Sequence, residues 1–210
     1  MSNLIHALNW RYATKVFDKT KKIPTEDMEI ILEATRLSPS SYGLQPFKLI
    51  VVESQDIKDQ LFEHSYGQAQ MKDAACVLVY ACMTKFDENE VEKMVDLMAK
   101  TREVEKSSLQ LMKDRIMQKF DIMSSEQVTL WASQQAYIAV GNTMTVLASM
   151  GYDGCPMEGI VKSEFDKILG LEKLNLKTVI ALPIGIRHYS DAYIQRKKVR
   201  RDQEDFIIRF

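Results

Sequence analysis

The stretch LSPSSYGLQPFKLIVVE, residues 37–53, sets a loop rich in Ser, Gly and Pro directly against a run of apolar residues. The pair Ser38-Pro39 should end a preceding helix, because a residue that precedes proline is disfavoured in the α region. The run 47–53 is short and rich in Val and Ile, which is typical of a buried strand. A loop that only turned the chain could be shorter and plainer, so its small hydroxyl and amide side chains indicate a further role.

Outward from this stretch, the spacing of apolar residues predicts many helices and a few strands. The predicted helices are a short one ending near Arg11, one from Thr25 to Ser38, one around 57–62, one or two over 87–120, one over 125–150 and one over 163–169. Further strands are predicted over 75–83 and 178–185, with extended segments at 12–18 and 155–157. Thr25 is expected to cap its helix, and Gly151 to cap the C terminus of the longest one.

Because helices outnumber strands and no repeat or linker divides the chain, we expect one α+β domain over residues 1–210. Helices would pack on a small mixed sheet, with an exposed helical segment at 87–120. The second half of the helix 125–150 is apolar on all sides and should be buried. The tail 186–210 lacks a helical period and ends in FIIRF. Exposed apolar surface costs about 25 cal/mol per Å², so the tail should dock on its own core or on a second subunit.

Composition excludes several classes of protein. The 28 basic and 29 acidic residues give a net charge of −1, so no global charge attracts nucleic acid or an anionic membrane. Neither a signal peptide nor an apolar run long enough to span a membrane is visible, and we expect a cytoplasmic protein. The three cysteines lack CxxC spacing and are expected to be buried and reduced. The three histidines lie far apart, so we expect no protein-bound metal.

The motifs of several common enzymes are missing: GxGxxG after a strand, a Walker loop and GxSxG. Three stretches remain that could carry chemistry, namely RYATK at 11–15, the loop at 39–46 and PMEGI at 156–160. Each one alone is also explained by a solvated turn or a helix stop. A fourth, the basic cluster KKVRR at 197–201, could be a nucleic-acid patch, but the net charge and the absence of interleaved aromatic residues disfavour that interpretation.

Taken together, RYATKVFD (11–18), SPSSYGLQPFKLIVVE (38–53), GYDGCPMEG (151–159) and KKVRR (197–201) follow the order and spacing of a known family. The chain resembles the FMN-dependent nitroreductases over nearly its whole length. The likeness is greatest to the oxygen-insensitive bacterial nitroreductase and dihydropteridine reductase subgroup. The resemblance implies an α+β sandwich that forms a two-fold homodimer, with FMN in clefts at the interface and the tail 186–210 embracing the partner subunit.

The resemblance also implies roles for individual residues. Arg11 would bind the FMN phosphate, with Lys198 and Arg200 closing over it. Lys15 would reach the ring and the ribityl chain and stabilise negative charge on the reduced flavin. The backbone amides of Glu158 and Gly159 would approach flavin N5 and O4. The remaining implied contacts to the cofactor are Tyr12, Ala13, Pro39, Ser40, Ser41, Gly43, Gln45, Gln68, Gln70, Pro156 and Met157.

Within that set, Pro39, Ser40 and Ser41 would reach the flavin from the partner subunit, which explains why the loop must be small and polar. Gln68 and Gln70 would contact the pyrimidine ring of the flavin. Pro156 and Met157 would form the floor beneath the flavin ring. Three positions depart from the family pattern: Ala13 stands where Ser is frequent, and Gly43 and Gly67 stand where Asn is common.

The implied activity is NAD(P)H-dependent reduction of nitroaromatics, quinones or related small-molecule acceptors. Nicotinamide would deliver hydride to flavin N5 in a ping-pong cycle. No side chain need act as a general base, and the residues that matter would tune the flavin: Lys15, Glu158 and Gly159. Two alternatives stay open. One is an enzyme of the same fold with another chemistry, such as flavin, iron or dihydropteridine reduction. The other is a non-catalytic flavin-binding interaction protein.

Overall fold

The structure is a computed structural model that describes residues 3–210. Its helices are α1 Asn3–Trp10, α2 Thr25–Arg36, α3 Gln55–Glu63, α4 Gln70–Asp73, α5 Glu88–Arg102, α6 Gln110–Asp121, α7 Ser125–Met150, α8 Lys162–Ile168 and α9 Gln203–Phe206. Its strands are β1 Phe47–Val52, β2 Cys76–Met83, β3 Asp153–Gly154 and β4 Leu176–Gly185. Short 3-10 turns lie at Ser41–Gly43, Lys106–Leu109 and Leu171–Leu174. The predicted helices and strands are therefore confirmed to within a few residues, and the sequence did not reveal α4 or α9. The expectation that the strand after residue 47 is buried is wrong, because only Phe47 and Val52 of β1 are buried.

The four strands form one sheet in the order β1-β2-β4-β3, and every neighbouring pair is antiparallel. The expectation of a mixed sheet is therefore wrong for these strands. The connection through α3 and α4 brings the chain back to the end of the sheet where β1 stops, so that Val77 lies opposite Val52. Parallel pairing is confined to an isolated bridge between Ala13 and Gly154.

Helices cover both faces of the sheet, and alternate residues of β2 point to the two sides. Leu78 and Tyr80 join a cluster that includes Ile31 of α2 and Leu147 of α7. On the opposite face, the second cluster brings together residues of β2, α3 and α8: Val77, Val79, Leu61 and Phe165. The α+β sandwich is thus confirmed.

Helix α7 runs through the centre of the fold and is bounded by local signals. The hydroxyl of Ser124 accepts a hydrogen bond from the amide of Gln127, whose side chain accepts one from the amide of Ser124. Gly151 ends the helix with φ = 80°, which confirms the predicted cap. The prediction that its second half is buried on all sides is wrong, because Ile138 is 46% exposed and Gly141 faces open space.

The segment 87–120 contains the two helices α5 and α6, but it does not stand apart from the rest of the chain. Its inner residues Val95 and Ile116 are buried in the larger core cluster. Phe120 packs between Phe86 and Trp131, with ring centroids 4.9 and 4.8 Å apart. The prediction of exposed helices therefore holds only for their outer faces.

Other expectations concern single residues. Thr25 does not cap α2; it is the first helical residue, and Pro24 takes the N-cap position because its amide nitrogen carries no hydrogen to satisfy. The tail forms the short helix α9, and its apolar end does not dock on its own core: Phe206 is 75% exposed and Ile208 80% exposed. The three cysteines are buried and unbridged, as predicted. Within residues 3–210, no helix has the length and apolar character needed to cross a membrane.

Candidate functional site

The loop that follows α1 is held by a buried carboxylate from the C-terminal segment. Asp191 is 2% exposed, and its side chain accepts hydrogen bonds from the amides of Lys15 at 2.8 Å and Val16 at 3.1 Å. It also accepts one from the hydroxyl of Tyr12 at 3.0 Å and one from the amide of Tyr193 at 2.9 Å. The segment that carries Lys15 is therefore fixed by residues about 180 positions further along the chain.

A second buried acid supports the same loop from beneath. Asp153 binds the guanidinium of Arg187, with 2.6 Å between the nearest atoms, and accepts a hydrogen bond from Thr14. The guanidinium lies 3.8 Å from the ring centroid of Trp10 and 4.5 Å from that of Tyr12. Arg187 is thereby enclosed by a carboxylate and two aromatic rings, and it connects α1 with β3 and the end of β4.

Next to this loop lies a basic cavity of about 560 Å³. The cations that line it are Arg11, Arg187, Arg196, Lys197, Lys198 and Arg200. Burial and the neighbouring charge of Arg200 lower the pKa of Arg11, and burial together with Arg11 and Arg200 lowers the pKa of Lys198. Like charges this close repel each other, so the cavity is suited to an anion of more than one charge.

Within the cavity, Lys198 has a structural contact that its sequence position did not reveal. Its ammonium group donates hydrogen bonds to the carbonyl oxygens of Leu8, at 2.6 Å, and Arg11, at 2.5 Å. These carbonyls belong to the C-terminal end of α1, where cations are favoured. Lys198 therefore anchors Arg11 through the backbone, whereas Arg200 contacts only the adjacent carbonyl of Val199 among its hydrogen-bond partners in residues 3–210.

The segment from Cys155 to Ile160 presents two free backbone donors. Met157 exchanges hydrogen bonds with Ala181 of β4 at 2.8 and 3.2 Å, and the amide of Ile160 turns back to the carbonyl of Glu158 at 2.8 Å. Between them, the amides of Glu158 and Gly159 donate no hydrogen bond to any other residue in 3–210. Two adjacent unpaired amides form a ready site for an acceptor atom of a ligand.

The two glutamines predicted to serve the flavin ring lie beside this segment. Gln68 donates a hydrogen bond to the carbonyl of Gly159 at 2.8 Å. Gln70 is buried and lies 4.0 Å from the sulfur of Cys155, as does the ammonium of Lys15. Burial raises the pKa of Cys155 and outweighs the opposing effect of Lys15, so the thiol is a neutral part of the floor.

The loop 39–46 makes its hydrogen bonds with α7 and with the end of α2. The amide of Ser41 donates to the side chain of Gln135 on α7 at 2.8 Å, and the hydroxyl of Ser40 accepts from the amide of Gln45 at 2.9 Å. The side chain of Gln45 closes the loop on the carbonyl of Arg36 at 2.7 Å. No hydrogen bond within residues 3–210 joins this loop to Arg11, Lys15, Glu158 or Gly159.

One chain thus brings together the sequence-predicted residues 11–15, 68–70, 155–159 and 198–200, and leaves the group 39–45 apart. Gly43 has φ = 70°, a conformation that favours glycine over the Asn expected there. The sequence did not reveal the roles of Arg187 and Asp191, which lie outside the motifs, or of Asp153, which lies inside the stretch 151–159 without an assigned role. It also did not reveal Tyr137, whose hydroxyl donates to the carboxylate of Glu158. Only their packing distinguishes them from solvated residues.

Comparisons with known proteins agree with this architecture. Residues 8–186 match the model of the Nitroreductase family. A Staphylococcus aureus protein with the provisional name NAD(P)H nitroreductase is 36% identical, over 99% of this chain and 97% of its own. A Staphylococcus haemolyticus protein, also provisionally named NAD(P)H nitroreductase, is 34% identical over 97% of this chain and 95% of its own.

Solved structures share the fold at lower sequence identity. A provisionally named Bacillus subtilis nitroreductase superposes with a TM-score of 0.87 at 20% identity and covers 98% of both chains. A provisionally named nitroreductase of Exiguobacterium sibiricum was solved in complex with FMN. It superposes with a TM-score of 0.86 at 21% identity and covers 100% of this chain and 98% of its own. With the family model spanning most of its length, the chain belongs to the nitroreductase family.

Proposed function

We propose that this protein is an FMN-dependent oxidoreductase that uses NAD(P)H to reduce nitroaromatics, quinones or related small-molecule acceptors. The names of the staphylococcal relatives support the reductant, and the FMN in the Exiguobacterium structure supports the cofactor. The observation that carries the proposal is the pair of amides at Glu158 and Gly159, which donate no hydrogen bond within residues 3–210. The ammonium of Lys15 lies 4.0 Å from Cys155 in the same segment, and Lys15 belongs to the loop whose Arg11 and Tyr12 line the cation-rich cavity.

The cavity fits the phosphate end of FMN. A phosphate monoester carries close to two negative charges, and a guanidinium can bind it with paired hydrogen bonds. Arg11 and Arg200 would supply two such cations, and the bound dianion would offset the burial and the repulsion from Arg200 that lower the pKa of Arg11. Lys198 would hold Arg11 in place through the carbonyl of that residue.

The other end of the site fits the flavin ring. When bound, FMN supplies a two-electron redox couple whose N5 accepts hydride from nicotinamide, so substrate and reductant can use one face in turn. The amides of Glu158 and Gly159 would donate to the ring edge that carries N5 and O4. Lys15 would leave its contact with Cys155 and bind the opposite edge of the flavin ring. Its charge there would stabilise the reduced flavin. Met157 would support the ring from below, held by its two bonds to β4.

We propose that the site is completed by a second copy of the chain. The loop of Pro39, Ser40 and Ser41 does not bond to the rest of the site within one chain, and the apolar tail ends exposed. The outer face of α7 is also apolar, with Leu130 61% and Ile138 46% exposed. A two-fold dimer that buried these surfaces would set each loop against the partner's flavin. Three buried free cysteines support a reducing, cytoplasmic location.

The spectrum of the purified protein tests the proposal. We expect a yellow protein whose visible absorption bleaches when NADPH or NADH is added without oxygen, and which releases FMN rather than FAD in acid. Continued NAD(P)H consumption with a quinone or nitro compound would separate an enzyme from a flavin-binding interaction protein. Product analysis would then separate nitro or quinone reduction from the other chemistries of the fold. A colourless protein that cannot be reconstituted with FMN would refute the proposal.

A further inference from the structure

Tyr137 makes a contact that the proposed function does not use. It lies on the outer side of α7, 39% exposed, and its hydroxyl donates a hydrogen bond to the carboxylate of Glu158, 21 residues later in the chain. Burial, and next the hydrogen bond to Glu158, raise the pKa of Tyr137 to about 12. The phenol therefore stays protonated near neutral pH and acts as a permanent donor to that carboxylate.

The segment that Tyr137 contacts is held on its other sides by different elements. Gln68, before α4, binds the carbonyl of Gly159 at 2.8 Å, and β4 binds Met157 through two backbone hydrogen bonds. A Cβ at position 159 would come 3.2 Å from the side-chain nitrogen of Gln68, so the side chain of Gln68 packs closely against Gly159. The bond from Tyr137 attaches this segment to α7. It does so at Glu158, the first of the two residues whose amides donate no hydrogen bond within residues 3–210.

We propose that Tyr137 is a positioning residue that orients the amides of Glu158 and Gly159 and holds the charge of Glu158 in a fixed place beside the flavin. The inference rests on the proposed function. Without the phenol, the carboxylate would be free to rotate and its charge would be less compensated. The amides would then lose part of their alignment. Negative charge near the ring disfavours the reduced, anionic flavin, so the equilibrium should shift toward the oxidised state.

The test is Tyr137→Phe, which removes one hydroxyl and keeps the ring. Tyr152→Phe is the matched control, because its hydroxyl donates in the same way to the carboxylate of Asp27 on α2, and no hydrogen bond within residues 3–210 joins Tyr152 to Glu158 or Gly159. FMN affinity is measured by quenching of flavin fluorescence on the apoprotein, and the reduction potential by equilibration with a reference dye. We expect Tyr137→Phe to weaken FMN binding about three- to tenfold. We also expect the two-electron equilibrium to shift about tenfold toward oxidised flavin, or about 30 mV to lower potential.

A double-mutant cycle distinguishes positioning from general stability. In a Glu158→Ala background, Tyr137→Phe should change neither the affinity nor the potential further, because its partner is already absent. Tyr152→Phe should leave both quantities at the parent values. If Tyr137→Phe folds and shares the parent's affinity and potential, or acts equally in the Glu158→Ala background, the positioning role is refuted while the proposed function stands. A parent protein that binds no FMN would instead refute the proposed function and this inference with it.

Discussion

The carboxylate of Asp191 lies 2.8 Å from the backbone amide of Lys15, although the two residues are 176 positions apart in the chain. Through this bond and the neighbouring one to Val16, the C-terminal segment fixes the loop between α1 and α2. Lys15 is a cation expected to act on the cofactor, and its position is thus fixed by a buried acid that does not itself line the basic cavity. This relationship makes the stability of the loop sensitive to pH.

We expect Asp191→Asn to lower the free energy of unfolding by about 1–3 kcal/mol at neutral pH, because a charged acceptor for several amides is lost. Burial alone would raise the pKa of Asp191, but hydrogen bonds from the amides of Tyr193, Lys15 and Val16 outweigh it and lower the pKa. A carboxyl group with a lowered pKa contributes stability above its unfolded value of about 3.9 and loses it as the pH falls through the folded value. Urea unfolding of both proteins should therefore show a difference that narrows below about pH 4. A difference independent of pH would contradict the assignment.

Arg200→Ala tests the proposed phosphate clamp. Losing one charge-assisted contact costs about 1.5–3 kcal/mol, so FMN should bind roughly ten- to a hundredfold more weakly. Riboflavin lacks the phosphate and should bind the variant and the parent alike. Arg201→Ala is the matched control, since that residue does not line the cavity, and it should leave both affinities unchanged. Equal losses for FMN and riboflavin would show that Arg200 acts on the fold rather than on the phosphate.

The outer face of α7 predicts the assembly state. Light scattering should give about twice the 24.2 kDa chain mass, because C₂ dimers are the commonest oligomers and each site lacks the loop 39–41. Ile138→Glu sets a charge on the exposed apolar face and should yield a monomer that no longer retains FMN. Leu174→Glu, at a leucine after α8 that is 64% exposed, should leave the dimer intact. A parent protein that is an FMN-loaded monomer would rule out the shared site.

Thr143→Val tests a buried polar network between α7, α2 and β2. The hydroxyl of Thr143 accepts a hydrogen bond from Tyr80 at 2.7 Å and lies 2.7 Å from the hydroxyl of Thr35. Valine has the same shape but leaves the Tyr80 hydroxyl without its acceptor, so we expect a loss of about 1–3 kcal/mol in the free energy of unfolding by urea. Thr145→Val removes a hydroxyl that bonds its own helix at an exposed position and should change stability by less than about 0.5 kcal/mol. Equal effects of the two substitutions would argue against the network.

The boundaries of helices and strands were predictable because the signals that set them are local. The caps of α7 are decided by Ser124, Gln127 and Gly151, each within a turn of the helix end it satisfies. The strands β1, β2 and β4 are visible as short runs of apolar residues bounded by polar ones, although β1 lies at the edge of the sheet and only its end residues Phe47 and Val52 are buried. The prediction for Thr25 was wrong because the helix already includes that residue, with Pro24 at the N-cap and no side-chain hydrogen bond capping the helix.

Part of the candidate site was also predictable, where a motif or a family pattern marks the residue, as at Arg11, Lys15 and the segment 156–159. These expectations concern which residues face the site, and the structure brings most of them together in one chain. The surroundings of each were not predictable. Lys198 was expected to close over the FMN phosphate, yet in the structure its ammonium group binds the carbonyls of Leu8 and Arg11 at the end of α1.

The sequence by itself determined the elements, their order and the residue types that could bind an anion and a ring. Only the tertiary structure decided that Asp191 supports Lys15, that Arg187 pairs with Asp153 and that Tyr137 reaches Glu158. The reason is physical. A lone acid or tyrosine in a loop or on a helix has the same local pattern whether it is solvated or buried. Its hydrogen-bond partner is determined only when distant segments pack and exclude water, because a buried polar group without a partner raises the free energy of the folded state.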